Sequence, residues 1–137
     1  MFYETFDHSA DLGIRIYGEN IRELFINAGR TLFCLIAPAG VDTEKEFLSI
    51  LVTGEDTVDL LINWLRELLY LFYGKERLVT SFHIVSMDHF SLNVRVEIVG
   101  FDDNDIDVEY EIKAVTYHQA RIESLKNGYV ATVIFDL

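Results

Sequence analysis

Phe6-Asp7-His8-Ser9-Ala10-Asp11-Leu12-Gly13-Ile14 puts two carboxylates and an imidazole within five residues, then runs directly into an alternating apolar segment. From Asp11 onward Leu12, Ile14 and Ile16 point one way and Gly13, Arg15 and Tyr17 the other. That is the period of a half-buried strand, which Gly18 closes. Before it, residues 2–5 read as a short extended segment. Phe6 to Ala10 reads as a turn, because Asp and Ser side chains bond readily to nearby backbone N–H groups.

After this strand, Asn20 followed by Glu23 has the spacing of a helix N-cap with a carboxylate one turn on. Ile21, Leu24, Phe25, Ala28, Leu32, Leu35 and Ile36 then recur at helical spacing, and the helix ends near Pro38-Ala39-Gly40. A strand over about Glu46 to Thr53 leads to a second helix, Thr57 to Tyr73, capped by Asp56. This helix is apolar on almost every side. A membrane span needs roughly 20 mostly apolar residues, whereas Asp59, Asn63, Arg66 and Glu67 interrupt the run. A helix deep in a core, or partly under a partner protein, is the better reading.

Strand chemistry resumes after Gly74: Phe82, Ile84 and Val85, a turn near Asp88-His89, then Leu92, Val94, Val96 and Ile98. An acidic connection, Gly100 to Asp105, precedes two or three closing strands around Val108 to His118, Gln119 to Leu125 and Tyr129 to Phe135. Asn127-Gly128 is the hairpin turn between the last two. The expected architecture is α+β, a single compact domain over residues 1–137 with two helices packed on mostly antiparallel sheets.

Composition narrows the function. The 137 residues carry 23 acidic and 11 basic side chains, a formal net charge of −12. Nucleic-acid binding rests on clustered Lys and Arg, so a direct high-affinity grip on RNA or DNA is not expected. Cations and basic protein surfaces are the favoured partners. The N-terminus lacks the basic region of a secretory signal, and the lone Cys34 fits a reducing cytoplasm. Its place on a helical apolar face reads as a buried thiol.

Catalytic motifs are missing. The four histidines show no paired ligand spacing for zinc, and Ser9 beside His8 lacks a nucleophile turn. Asp102 to Asp107 lacks the glycine and terminal glutamate of a calcium loop and reads as a solvated turn. Oxygen ligands for a hard cation remain. On one extended strand Asp7 and Asp11 would be about 13 Å apart, so only a tight turn would bring both to one ion. Asp11, heading the strand, is the expected ligand, and Asp7 and His8 shape the turn or stand behind it. At the far end Val133-Ile134-Phe135-Asp136-Leu137 adds the Asp136 side chain and the main-chain oxygens of Leu137. Oxygens without sulfur favour calcium or magnesium. Fraying of these last residues is the competing reading, and the residues by themselves leave both open.

Three segments together resemble the archease family: Phe6 to Ile14, Glu111-Ile112-Lys113-Ala114-Val115-Thr116-Tyr117-His118, and Val133 to Leu137, with Leu65 to Phe72 also similar. Ser9 and Leu12 depart from the usual Thr and Val, and neither removes an oxygen or a charge. The resemblance implies a non-catalytic accessory protein of the RNA-splicing ligase in tRNA splicing. Such a protein promotes GTP-dependent guanylylation and multiple turnover. It also implies a divalent-cation site at Asp11, Asp136 and Leu137, with calcium first and magnesium or manganese as alternatives. A small metal-dependent hydrolase using Asp7, His8, Asp11 and Asp136 is the alternative from another class, and a general chaperone-like binding module is a third.

Overall fold

Two helices, each touching both of two antiparallel sheets, organise the core. The computed structural model describes residues 2–8, 10–37, 43–102, 104 and 106–137, the side chains of residues 7 and 8 excepted. The elements are β1 (Tyr3–His8), β2 (Asp11–Gly18), α1 (Ile21–Ile36), β3 (Lys45–Thr53), α2 (Thr57–Lys75), β4 (Arg77–Met87), β5 (Ser91–Gly100), β6 (Ala114–Leu125) and β7 (Gly128–Asp136). The first sheet has the order β1-β2-β7-β6 and the second β3-β5-β4.

Alternation fixes which face of each sheet is dry. Leu12, Ile14 and Ile16 of β2 stand opposite Phe135, Val133 and Ala131 of β7, and all six are buried. In the second sheet Leu92, Val94, Val96 and Ile98 of β5 do the same work beside Ile50 and Val52 of β3. One contiguous hydrophobic cluster joins these faces to both helices.

The helices begin where local chemistry directs. The Asn20 side-chain oxygen accepts from the Glu23 N–H at 2.8 Å, and Asp56 accepts from the Asp59 N–H at 2.8 Å. Asn20→Ala should therefore destabilise the fold by about 1 kcal/mol, measurable by urea denaturation. Trp64 at the centre of α2 is fully buried, and its indole N–H donates to the Phe25 carbonyl of α1 at 2.9 Å. Its ring meets Phe82 edge-on, with centroids 5.9 Å apart.

Several expectations are revised. β1 runs to His8, which pairs with Asp11, so Phe6 to His8 are strand and not turn, and Ser9 of the expected turn lies outside the described residues. The cause is cross-strand packing. Phe6 pairs with Gly13 and lays its ring where a Cβ would stand, and the Arg15 guanidinium lies 4.2 Å from that ring's centre. The run from Val108 to Lys113 is not strand. Instead, the Glu109 and Tyr110 N–H groups donate to the Ile36 and Leu35 carbonyls at 2.8 and 3.2 Å, satisfying the C-terminal end of α1. Val115 to Leu125 belongs to one strand, not two. The β6–β7 turn is Lys126-Asn127, and Gly128 opens β7 with φ 152°, where a Cβ would strike the Gly18 carbonyl oxygen. Cys34 is exposed, not buried. It stands one helical turn from exposed Arg30, off the apolar stripe.

Candidate metal centre

The register of the first sheet lines up one residue from each strand along its rim. His8 is opposite Asp11, Asp11 opposite Asp136, and Asp136 opposite Ala114. Directly opposed residues of an antiparallel pair have Cβ atoms about 5 Å apart. The two carboxylates, at opposite ends of the sequence, therefore stand side by side at the surface. Asp136 is exposed and Asp11 is partly so.

The pairing of β1 with β2 brings Asp7 and Asp11 onto neighbouring strands, but the register sets Asp7 opposite Leu12, one step off the Asp11 position. The side chains of Asp7 and His8 lie outside the described residues. Leu137 follows Asp136 directly. The Asp136 carbonyl accepts from the Lys113 N–H at 2.7 Å, which holds the end of β7 against the approach to β6.

The donor set consists of oxygens only: two opposed carboxylates and the main-chain oxygens of Leu137. It fits a hard cation of the calcium or magnesium type, whose remaining positions water or a partner would fill. Among the described residues no group of three or more His, Cys, Asp or Glu side chains converges. Zinc-type coordination by nitrogen or sulfur has no counterpart among them.

Behind this rim a second arrangement fixes β6. Four residues, 117–120, stand against Val133 alone, because the pairing jumps from Thr116↔Ile134 to Arg121↔Thr132. Gln119 takes a left-handed backbone, φ 57°. Tyr117, at the start of this bulge, donates its hydroxyl to Asp59 of α2 at 2.5 Å. Arg66 lies over the Tyr117 ring, 4.7 Å from its centre, and donates to the Val115 carbonyl at 3.2 and 3.0 Å. Sequence reading passed over this tie. Its signal was the spacing Asp59, Asn63, Arg66, which forms one polar stripe along an otherwise apolar helix. Lys113 joins Arg66, Tyr70 and Tyr73 along a groove of about 320 Å³ between α2 and β6, beside the acidic rim.

The tie has a pH signature. The Tyr117 hydroxyl, followed by the Glu55 N–H, holds the Asp59 carboxyl below the usual carboxylate range. The bond to Asp59, followed by burial, pushes the Tyr117 phenol up. A depressed acid contributes fully above its ordinary value of 3.8 and loses that contribution as pH falls through its folded value. A raised phenol contributes fully below 10.0 and loses its contribution as pH rises further. Amide protection over residues 117–120, taken as the exchange rate relative to the intrinsic rate at each pH, should therefore be greatest between these limits and fall on either side. Asp59→Asn should abolish the acid-side dependence.

The family model described as the archease protein family matches residues 3–137. The chain belongs to the archease family. It is 34% identical to the protein archease of Sulfurisphaera tokodaii over 137 residues, covering 98% of each chain. It is 33% identical to that of Archaeoglobus fulgidus over 138 residues, covering 100% of each. The solution structure of Methanobacterium thermoautotrophicum protein 1598 superposes with a TM-score of 0.74 at 29% identity, covering 99% of each chain. The crystal structure of a Thermotoga maritima archease, described as a possible chaperone, shares the fold with a TM-score of 0.66 at 24% identity, covering 98% of this chain and 96% of that one. Among the described residues the archease fold here comprises two helices and seven strands in two antiparallel sheets. Among the described residues no helix is long and apolar enough to cross a membrane. Of the acidic connection, Asp103 and Asp105 lie outside the described residues, and Asp102 accepts from the Asn104 N–H at 3.0 Å.

Proposed function

We propose that this chain is a non-catalytic activator of an RNA-splicing ligase in tRNA splicing, acting in the cytoplasm through a divalent cation held by Asp11, Asp136 and Leu137. Membership of the archease family supports the accessory role. The observation that carries the site is the direct opposition of Asp11 and Asp136 at the sheet rim. Calcium is the favoured ion, with magnesium or manganese as alternatives.

The cation would neutralise the acidic rim and present a positive centre to the ligase. Activation follows if the loaded rim binds the guanylylation-competent ligase more tightly than the inactive form. The net charge of −12 argues for docking on the ligase and not on its RNA. The adjoining groove with Arg66, Tyr70 and Tyr73 has the residue types that dominate protein interfaces. Asp7 and His8 are assigned to shaping the hairpin behind the site.

The test is a time course of guanylylated ligase in the presence of GTP and divalent metal. Wild-type protein should accelerate it, and Asp11→Ala should not. Equal acceleration by the variant would remove the metal site from the mechanism. The second reading, a general chaperone, takes its cue from the description of the T. maritima protein and from the exposed side chains of Phe47 and Leu51. Suppression of aggregation of unrelated proteins, without any effect on the ligase, would favour it.

A further inference from the structure

The two sheets have four edge strands, β1, β6, β3 and β4, and three of them carry features that discourage pairing. β1 is only six residues long. β6 is broken by the bulge at 117–120, and β4 by two register shifts, Val79/Ser81 and Ile84/Ser86. β3 is different. Its pairing with β5 is unbroken from Lys45↔Val99 to Thr53↔Ser91, nine residues without a bulge. It also carries Leu51, 72% exposed, and Phe47, 62% exposed, the two most exposed large apolar side chains among the described residues.

The backbone polarity of this edge can be read directly. The Gly54 N–H donates to the Phe90 carbonyl at 2.9 Å, one step beyond Thr53↔Ser91 in the same register. Even-numbered residues of β3 therefore exchange their bonds with β5, while odd-numbered ones turn N–H and C=O toward the open edge. The Thr53 carbonyl agrees, since it accepts from the Asn63 side chain at 2.9 Å instead of from β5. Phe47, Ser49 and Leu51 thus present side chains to the outer face and main-chain bonding groups to the open edge.

We infer that β3 pairs antiparallel with β3 of a second copy of this chain, about a two-fold axis at Ser49. The strand is self-complementary in that register. Ser49 meets Ser49, and Phe47 of each copy meets Leu51 of the other on the outer face. On the inner face Leu48, still 37% exposed in one chain, meets Ile50. Every pair directed at the open edge is odd with odd, so the bonding groups match for Ser49 with Ser49 and for Phe47 with Leu51, while beyond them the Thr53 carbonyl already accepts from Asn63. The contact is isologous and closes at two copies, and the joined sheets form one continuous sheet, β4-β5-β3 followed by β3-β5-β4. Lys45 falls opposite Thr53, so no like charges are directly opposed along the strand.

Sedimentation velocity from low micromolar to near-millimolar protein tests this. Wild type should shift from monomer to dimer across the range. Leu51→Lys, which sets a charge against Phe47 of the second copy, should weaken the dimer at least tenfold. Ser49→Pro, which removes an open-edge N–H without breaking the β5 ladder, should do the same. Val85→Lys, on the bulged β4 edge and 55% exposed, should dimerise as wild type does. Thermal melts verify that each variant is folded. A wild type that stays monomeric throughout overturns the inference, as does a dimer that both β3 variants leave intact or that Val85→Lys disrupts equally. The outcome is independent of the cation site.

Discussion

Asp136→Asn is expected to remove calcium binding and, in the same step, to make the cation-free protein slightly more stable. Like charges directly opposed across an antiparallel pair destabilise it by roughly 0.2–1 kcal/mol, and Asp11 and Asp136 are so opposed. Relief of that repulsion should raise the melting temperature in chelator by about 2 °C. Loss of one of the two carboxylate ligands should weaken calcium binding by roughly a hundredfold or more. An ion at a hundred times its Kd stabilises the folded state by about 2.7 kcal/mol. The order of the two proteins should therefore reverse: the variant melts higher in chelator, and wild type melts higher in excess calcium. A purely structural role for Asp136 would lower the melting temperature under both conditions.

Trp64→Ala should be the most damaging single substitution in the core. The side chain lies in α2, meets Phe82 of β4 and donates to the Phe25 carbonyl of α1, so it joins both helices to the second sheet. Emptying such a site costs about 3–5 kcal/mol, and the lost hydrogen bond adds about 1 kcal/mol. Domain stability is typically about 5–15 kcal/mol, so a fall of more than about 10 °C in melting temperature is expected. Circular dichroism is the right probe, because the variant removes the chain's one tryptophan. Trp64→Phe keeps most of the volume and should fall between the two.

The parts of this fold that sequence reading could reach are those set by neighbours a few residues away. Asn20 and Asp56 as caps, the apolar stripe of α1 and the alternation of β2, β5 and β7 all follow from helical or strand period. Non-local packing decides the rest. β1 extends to His8 because the Phe6 ring lies on Gly13 across the hairpin, a contact that turn propensity does not contain. Residues 108–113 look like a strand, yet they serve the open carbonyls of α1, whose end lies more than 70 positions earlier in the numbering. Cys34 reads as buried because its neighbours Phe33 and Leu35 are apolar and buried, yet one helical step turns it to the exposed side. The acidic rim shows the same division. Asp11 and Asp136 were each legible as carboxylates at a strand end, while their opposition depends on the β2–β7 register. The Tyr117 bulge was not legible, because three added residues in β6 leave its strand-like composition unchanged.

Calorimetric titration of calcium into the wild-type protein, with Asp11→Ala as the control, tests the central claim most directly. One ion per chain for wild type and no saturable heat for the variant is the predicted result. No heat from wild type with calcium, magnesium or manganese would contradict it and leave Asp11 and Asp136 as a docking patch alone.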